Sequence, residues 1–353
     1  MRYSRVMRWL GGLLAAVLLA AGCSGSSSPA RSAATPKPSA AASPAANTPA
    51  PTEAPTPAPT PPLPAYYIES LRARPYPGGQ LQIGDEVTCQ GYSRCPKGDY
   101  AYHTRRLSWP SGGQTMTGWI ALPEGSGPFP VVLVNHGFIP PERYGEGQDS
   151  FIFGEPMAAH GFIAVGPNWP GYRGSGPAPP DLPAIVGEVV TALDLLSSLR
   201  TLPQADTSKI ACVGHSNGGG ICQIAMVVDP RIKAVVLHGP ISSDMADNGR
   251  KWWTNRPDSL GSIGSPDSNP EGYAHLSPRL YFQAGQAPVL IIQGTADHTI
   301  PREWTEVTLA ALHEKGVVAD VRWFQGADHD FVGRDLTEAV AAQEDWIRKA
   351  LGL

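Results

Sequence analysis

Three residues far apart in the chain have the types and the order of a nucleophile, an acid and a base. Ser216 is the centre of Gly214-His215-Ser216-Asn217-Gly218. The apolar run Ile210 to Val213 precedes it, and Gly219 to Val228, which reads as a helix, follows. A G-x-S-x-G pentapeptide between strand and helix is the pattern of a nucleophile elbow, a sharp turn that strains the serine backbone and presents its hydroxyl at a sheet edge. Glycines on either side let strand and helix approach with no Cβ between them. The alternative is a glycine-rich turn with an idle serine. A serine hydroxyl is a poor nucleophile at neutral pH. It needs a base within hydrogen-bond reach, and that base needs a carboxylate to orient it.

Two later loops supply such partners. The run 289–293 ends in Gly294-Thr295-Ala296-Asp297-His298-Thr299-Ile300-Pro301, and 318–324 ends in Gln325-Gly326-Ala327-Asp328-His329-Asp330-Phe331. Asp297 and His329 each fall just past a predicted strand, and the order Ser, Asp, His is the one this architecture uses. Asp297 also has the position of a cap for a helix starting near Pro301. Asp328 and Asp330 are competing acids, but each adjoins His329 and reaches its Nδ1 poorly. His298 adjoins the acid, His313 falls within a helix, and His215 is placed to pack beside the site. An oxyanion needs two N–H donors aimed at one point. Asn217 offers its backbone N–H. The loop Asn135-His136-Gly137-Phe138 offers that of Phe138, with Gly137 permitting the turn; a hydroxyl of Tyr144 or Tyr172 is the alternative donor.

To bring these residues to one edge, the elements between them have to form a parallel sheet. Arg105–Trp109 and Met116–Leu122 read as paired strands around a Gly-Gly turn at 112–113. Strands follow at 131–134, 162–165, 210–213, 234–237, 289–293 and 318–324. Helices are expected at 66–74, 182–199, 217–228, 302–315 and 335–351, from apolar residues at helical spacing. Strands alternating with helices give an α/β fold, a mostly parallel central sheet with helices on both faces. Ligands of such sheets bind outside the carboxyl ends of the strands.

Together these residues resemble the α/β-hydrolase superfamily. The chain is most similar there to the catalytic domain of prolyl oligopeptidases (the S9 group) and to dienelactone hydrolase-like proteins. The resemblance runs from about Thr104 to Leu353. It takes in Trp119 to Pro123, Gly127 to Val131, Asn135-His136-Gly137, Arg173-Gly174-Ser175-Gly176, the elbow with Gly219, Gly294 to Pro301 and Gly326 to Phe331. It implies a Ser/Asp/His triad carried onto Ser216, Asp297 and His329. Two departures matter. No segment is long enough for the β-propeller that usually precedes the prolyl oligopeptidase domain. The parts that recognise a peptide N-terminus or proline have no visible counterpart, so esterase activity is at least as well supported as peptidase activity. Residues 242–286 fall where these proteins carry a cap. They hold Trp252, Trp253, Tyr273 and Tyr281, and either cover the site or pack as a connection.

The N-terminus has a different character. Arg2, Arg5 and Arg8 precede the apolar run Trp9 to Ala21, which is short for a membrane span. The run closes in Leu19-Ala20-Ala21-Gly22-Cys23, which resembles a bacterial lipoprotein signal with Cys23 as the lipidated residue. An ordinary signal peptide cut near Ala21, or an uncleaved anchor, is the alternative. Residues 23–64 are nearly all Ala, Pro, Ser and Thr, a composition that cannot build a core and acts as a semi-stiff tether. The catalytic domain is expected over 65–353, with an N-terminal extension at 65–103. Of five cysteines, Cys89 and Cys95 flank a short loop and are expected to pair in an exported protein. Cys212 and Cys222 read as separate small buried hydrophobes. A net charge of −4 gives no footprint for nucleic acid, and no spacing of four ligands suggests zinc.

The expected protein is an exported serine hydrolase. Its lipid anchor holds it outside the bacterial cell membrane, and it cleaves a small ester, an amide or a peptide with no cofactor. A surface-anchored binding protein on a hydrolase scaffold and an acyltransferase are the alternatives. Oligomeric state is not readable from the sequence.

Overall fold

The computed structural model describes residues 63–87, 102–179 and 181–353. Cys23, Cys89, Cys95, the signal segment and most of the tether lie outside the described residues.

The central runs are β-branched and apolar on both faces because helices cover both sides of the sheet. Nine strands form it: β1 (Gln82–Glu86), β2 (Tyr102–Ser111), β3 (Gln114–Pro123), β4 (Phe129–Asn135), β5 (Ile163–Pro167), β6 (Ala205–His215), β7 (Ile232–His238), β8 (Val289–Gly294) and β9 (Ala319–Phe324). Their order is β1-β2-β3-β5-β4-β6-β7-β8-β9. The pairs β1/β2, β2/β3 and β3/β5 are antiparallel, and every pair from β5/β4 to β8/β9 is parallel. The predicted hairpin is present, with Ser111 opposite Gln114 across Gly112 and Gly113.

Side chains alternate between two cores along each strand, as the strand period of two requires. Val131, Leu133, Cys212, Val235, Leu237 and Ile291 enter one core, and Val132, Val134, Val213, Val236 and Ile292 enter the other. The helices are α1 (Ile68–Ala73), α2 (Phe151–Ala159), α3 (Ala184–Ser198), α4 (Asn217–Val228), α5 (Met245–Lys251), α6 (Pro270–Leu276), α7 (Arg302–Glu314) and α8 (Gly333–Leu351). Residues of α1, α3, α4 and α7 build the first core, and those of α2 and α8 the second.

The predicted strands and long helices are all present, most of them extended by a few residues. The sequence reading missed β1 and α2. β1 is short and mostly exposed, so no apolar pattern marks it. α2 is buried on nearly every side, carries Glu155 and Pro156 inside it and shows no polar face to find. Residues 242–286 fold as α5, α6 and short 3-10 turns. Met245, Tyr273 and Leu276 are buried in the core, while the stretch around Trp252 to Ser259 borders the cleft described below.

Candidate active site

β6 ends at His215, and Ser216 then takes φ 53° and ψ −116° before α4 begins at Asn217. A non-glycine residue holds such a positive φ at a cost of about 1–3 kcal/mol, and does so mainly at functional sites. The turn is tied down on both sides. Ser216 N–H donates to the His238 carbonyl at 2.9 Å, and the Ser216 carbonyl accepts from Gly219 N–H at 2.9 Å and Ile241 N–H at 3.2 Å. A methyl group at Gly214 would overlap the Gly218 carbonyl, and one at Gly218 would overlap the Asn135 carbonyl. Both glycines are there for close approach.

One sequence expectation is overturned at the elbow. Cys212 and Cys222 are joined by a disulfide, with Cα atoms 5.8 Å apart. The chain reverses at Ser216, which sets the end of β6 beside the start of α4. Residues that look independent along the sequence thereby come within bonding range. The Asn135 amide lies over the bridge, 3.5 and 3.4 Å from the two sulfurs.

β8 and β9 pair in parallel, with Gly294 opposite Phe324, so the loops after them leave from the same edge. His329 Nδ1 lies 3.0 Å from Asp297 Oδ2. Asp297 Oδ1 accepts N–H bonds from Thr299 and Ile300, both at 2.8 Å, and Gln293 Nε2 donates to Oδ2 at 3.3 Å. Asp297 therefore orders the loop before α7 and holds the imidazole at once. Burial pushes its carboxyl up, but His329 and the two backbone N–H groups outweigh this and hold it below the ordinary carboxylate value. The competing groups are engaged elsewhere. Asp328 Oδ1 accepts the N–H groups of His329 and His298, at 2.7 and 3.1 Å. Asp330 Oδ1 lies 3.9 Å from His215 Nε2, and His313 Nε2 is 2.9 Å from the Ala319 carbonyl.

Ser216, Asn217, Phe138 and His329 line one cleft of about 240 Å³ at the carboxyl edge of the sheet. A larger cleft, about 800 Å³, lies at the amino end of the strands beside Ser208, Ile232 and Pro288, away from these groups. No hydrogen bond joins Ser216 to His329 among the described residues; this contact commonly tightens only when substrate binds. Gly137 N–H donates to Asp149 Oδ2 at 2.7 Å, and the next residue, Phe138, lines the cleft. Gly137 is needed for a different reason from the one the sequence suggests. Its φ is not positive, but a Cβ there would stand 3.1 Å from His215 Nδ1 and 3.3 Å from Ser216 Cβ. The hydroxyls of the tyrosine alternatives are engaged with other partners. Tyr144 bonds Asn168 at 3.0 Å, and Tyr172 bonds the Ile139 carbonyl at 2.8 Å.

Sequence reading missed three contributors. Glu188 on α3 lines the cleft and accepts from Asn217 Nδ2 at 2.9 Å; burial pushes its carboxyl up to about 8. Its signal was an acid on the same helical stripe as Ile185, Val189 and Ala192. Arg256, from the 242–286 segment, sets its guanidinium 3.9 Å from the centre of the Phe138 ring. Asp149 reaches the site from the loop before α2, and no sequence pattern marks it. The His136 ring, in the loop after β4, is stacked 3.9 Å from Trp169; burial lowers it to about 4, so it is neutral at pH 7.

A strained serine between strand and helix, with an Asp–His pair on the neighbouring strand ends, is set on a mostly parallel sheet with helices on both faces. The acetyl xylan esterase of Paenibacillus sp. R4 has the same fold at TM-score 0.58 and 16% identity, covering 80% of this chain and 92% of that one. An acylaminoacyl peptidase of Pyrococcus horikoshii matches at TM-score 0.60 and 20% identity, covering 77% of this chain. The chain has the α/β-hydrolase fold.

The prolyl oligopeptidase family model matches residues 185–353, and the chlorophyllase model matches residues 97–237. A protein of Escherichia coli (strain K12) that carries the provisional name carboxymethylenebutenolidase is 25% identical over 254 residues, 68% of this chain and 83% of its own. These matches are to hydrolases of the S9 and dienelactone hydrolase type, and the chain is a serine hydrolase. It spans less than half the length of the acylaminoacyl peptidases it matches, 48% for the Pyrococcus horikoshii protein.

Proposed function

We propose that this α/β-hydrolase cleaves small carboxylic esters, and amides more slowly, through an acyl-enzyme on Ser216. The observation that carries the reading is the meeting of Ser216 and His329 in one cleft, with His329 Nδ1 held by buried Asp297. Ser216 Oγ attacks the acyl carbon as His329 Nε2 takes the hydroxyl proton. The oxyanion receives the N–H groups of Asn217 and Phe138. His329 then protonates the departing alcohol or amine. Water enters, gives a proton to His329 and attacks the acyl carbon, and the acid leaves as Ser216 recovers its proton. Asp297 keeps the imidazole in the right tautomer and stabilises its cation.

A cleft of about 240 Å³ suits a short acyl or leaving group. The likeness to an acetyl xylan esterase over most of both chains favours an ester. The prolyl oligopeptidase match across the elbow, acid and base supports peptide cleavage as the second reading. We also propose that the enzyme works outside the cytoplasm, lipid-anchored at Cys23. The basic and apolar N-terminus and the 23–64 tether support export, and so does the Cys212–Cys222 disulfide, since such bonds persist in oxidising compartments.

A fluorophosphonate probe should label the wild type at Ser216, and Ser216→Ala should lose on the order of a million-fold in kcat on aryl esters. Folded Ser216→Ala with undiminished turnover would refute the assignment. Comparing short acyl esters, aryl amides and proline-containing peptides then separates the two readings.

A further inference from the structure

We propose that Asp149 and His215 form a positioning pair that locks the oxyanion loop, the nucleophile elbow and the histidine loop into one geometry. The proposal rests on the Ser216 assignment above. His215 immediately precedes the nucleophile and is nearly fully buried, as is Asp149. His215 Nδ1 lies 2.7 Å from Asp149 Oδ2, and the same oxygen accepts Gly137 N–H at 2.7 Å. One carboxylate oxygen thus ties the elbow to the loop that carries Phe138. On the other side of the ring, His215 Nε2 lies 3.3 Å from the backbone carbonyl of His329, and the two imidazoles are 4.7 Å apart centre to centre. The base and the nucleophile are therefore referenced to the same side chain.

The chemistry of the ring adds to this. Nδ1 faces a carboxylate, and Nε2 faces a carbonyl, with Asp330 Oδ1 at 3.9 Å. These partners are all acceptors, and a neutral imidazole has a single N–H. The N–H on Nδ1 is donated to the Asp149 carboxylate, which fixes the ring against the loop that carries Gly137. The backbone at Asp149 points the same way: its φ is 69°, a conformation that aspartate tolerates better than most residues and that is held at some cost. The three side chains come within 4.8 Å of one another. Asp149 Oδ2 already takes two donors, however, so hydrogen bonding accounts for the cluster without an ion.

The test is a double-mutant cycle on the full-length enzyme, with kcat expressed per fluorophosphonate-reactive site. Asp149→Asn keeps the shape and the tolerance for positive φ, and His215→Gln keeps one donor. Each should lower kcat about 10- to 100-fold, the loss expected when reacting groups shift by an ångström or so. KM should stay within about threefold, because the pair acts in the transition state. The double variant should lose no more than the worse single one, since either change opens the same clamp. Losses that multiply, an effect confined to KM, or kcat within about twofold of wild type despite a lowered Tm would each overturn the proposal. Should Asp149→Asn fail to fold, Asp149→Gly, which adopts this φ without strain, carries the same test. Ser216→Ala is run alongside. If it stays active, the serine assignment fails; if it is dead while the pair variants are unaffected, only the clamp fails.

Discussion

At the residue scale, the two buried carboxyls at the candidate site are driven in opposite directions by their surroundings. Asp297 is surrounded by donors, which hold it ionised against the cost of burial. Glu188 has one neutral donor, Asn217, and sits beside Ile185, Ile241 and Trp253, so burial dominates and its carboxyl rises from 4.5 to about 8. Glu188 is thus a protonated acid at neutral pH. The native state then binds a proton that the unfolded chain releases above its lower pKa. Stability should fall as pH rises from about 4.5 to 8 and level off above that, by on the order of a few kcal/mol. Glu188→Gln removes this slope while keeping a group that Asn217 can bond. The Tm of Glu188→Gln should match wild type near pH 4.5 and exceed it increasingly toward pH 8. A gap that does not change with pH would show that Glu188 is ionised in the folded protein.

At the scale of elements, the elbow is held by three kinds of constraint. Ser216 is hydrogen-bonded to β7 and to the loop after it. Gly214 and Gly218 allow strand and helix to touch. The disulfide then closes the unit across a sequence separation of ten. Constraining a loop of that size in the unfolded chain contributes about 2.7 kcal/mol on the chain-entropy account. Cys212→Ala/Cys222→Ala should therefore lower Tm by about 4–5 °C in a domain of this size. Thermal denaturation of the purified double variant checks this, and a shift below about 2 °C would mean that packing alone holds the unit. The bridge was not legible in the sequence. Cys212 alternates with Ala211 and Val213 as an ordinary core position, and nothing local says that α4 folds back over it.

At the scale of the molecule, the described residues form one compact unit. The segment between β7 and β8 gives that unit its own cleft wall. Trp252, Trp253 and Arg256 come from it, and Arg256 stacks on Phe138, so this segment touches the loop after β4 directly. If the N-terminal segment is a lipoprotein signal, the whole enzyme is tethered through Cys23 at the end of a Pro/Ala/Ser/Thr-rich spacer. Activity expressed in a bacterial host should then fractionate with membranes. Cys23→Ala should move it to the soluble exported fraction or leave it as unprocessed precursor, as read by activity and by immunoblot. A wild type found wholly soluble would rule out the anchor.

The sequence by itself determined the alternation of strands and helices, and with it the sheet edge where chemistry can occur. It also determined the order of Ser216, Asp297 and His329, because a turn pentapeptide and loops at strand ends are local features. Their meeting depends on β6, β8 and β9 lying in one parallel sheet, which apolar patterning already demands. Only the tertiary structure decided what surrounds them. Asp149 under His215, Glu188 beside Asn217, Arg256 on Phe138 and the Cys212–Cys222 bond each join residues from different elements. Such contacts depend on distances set by packing between elements, and periodicity within one element carries no information about them.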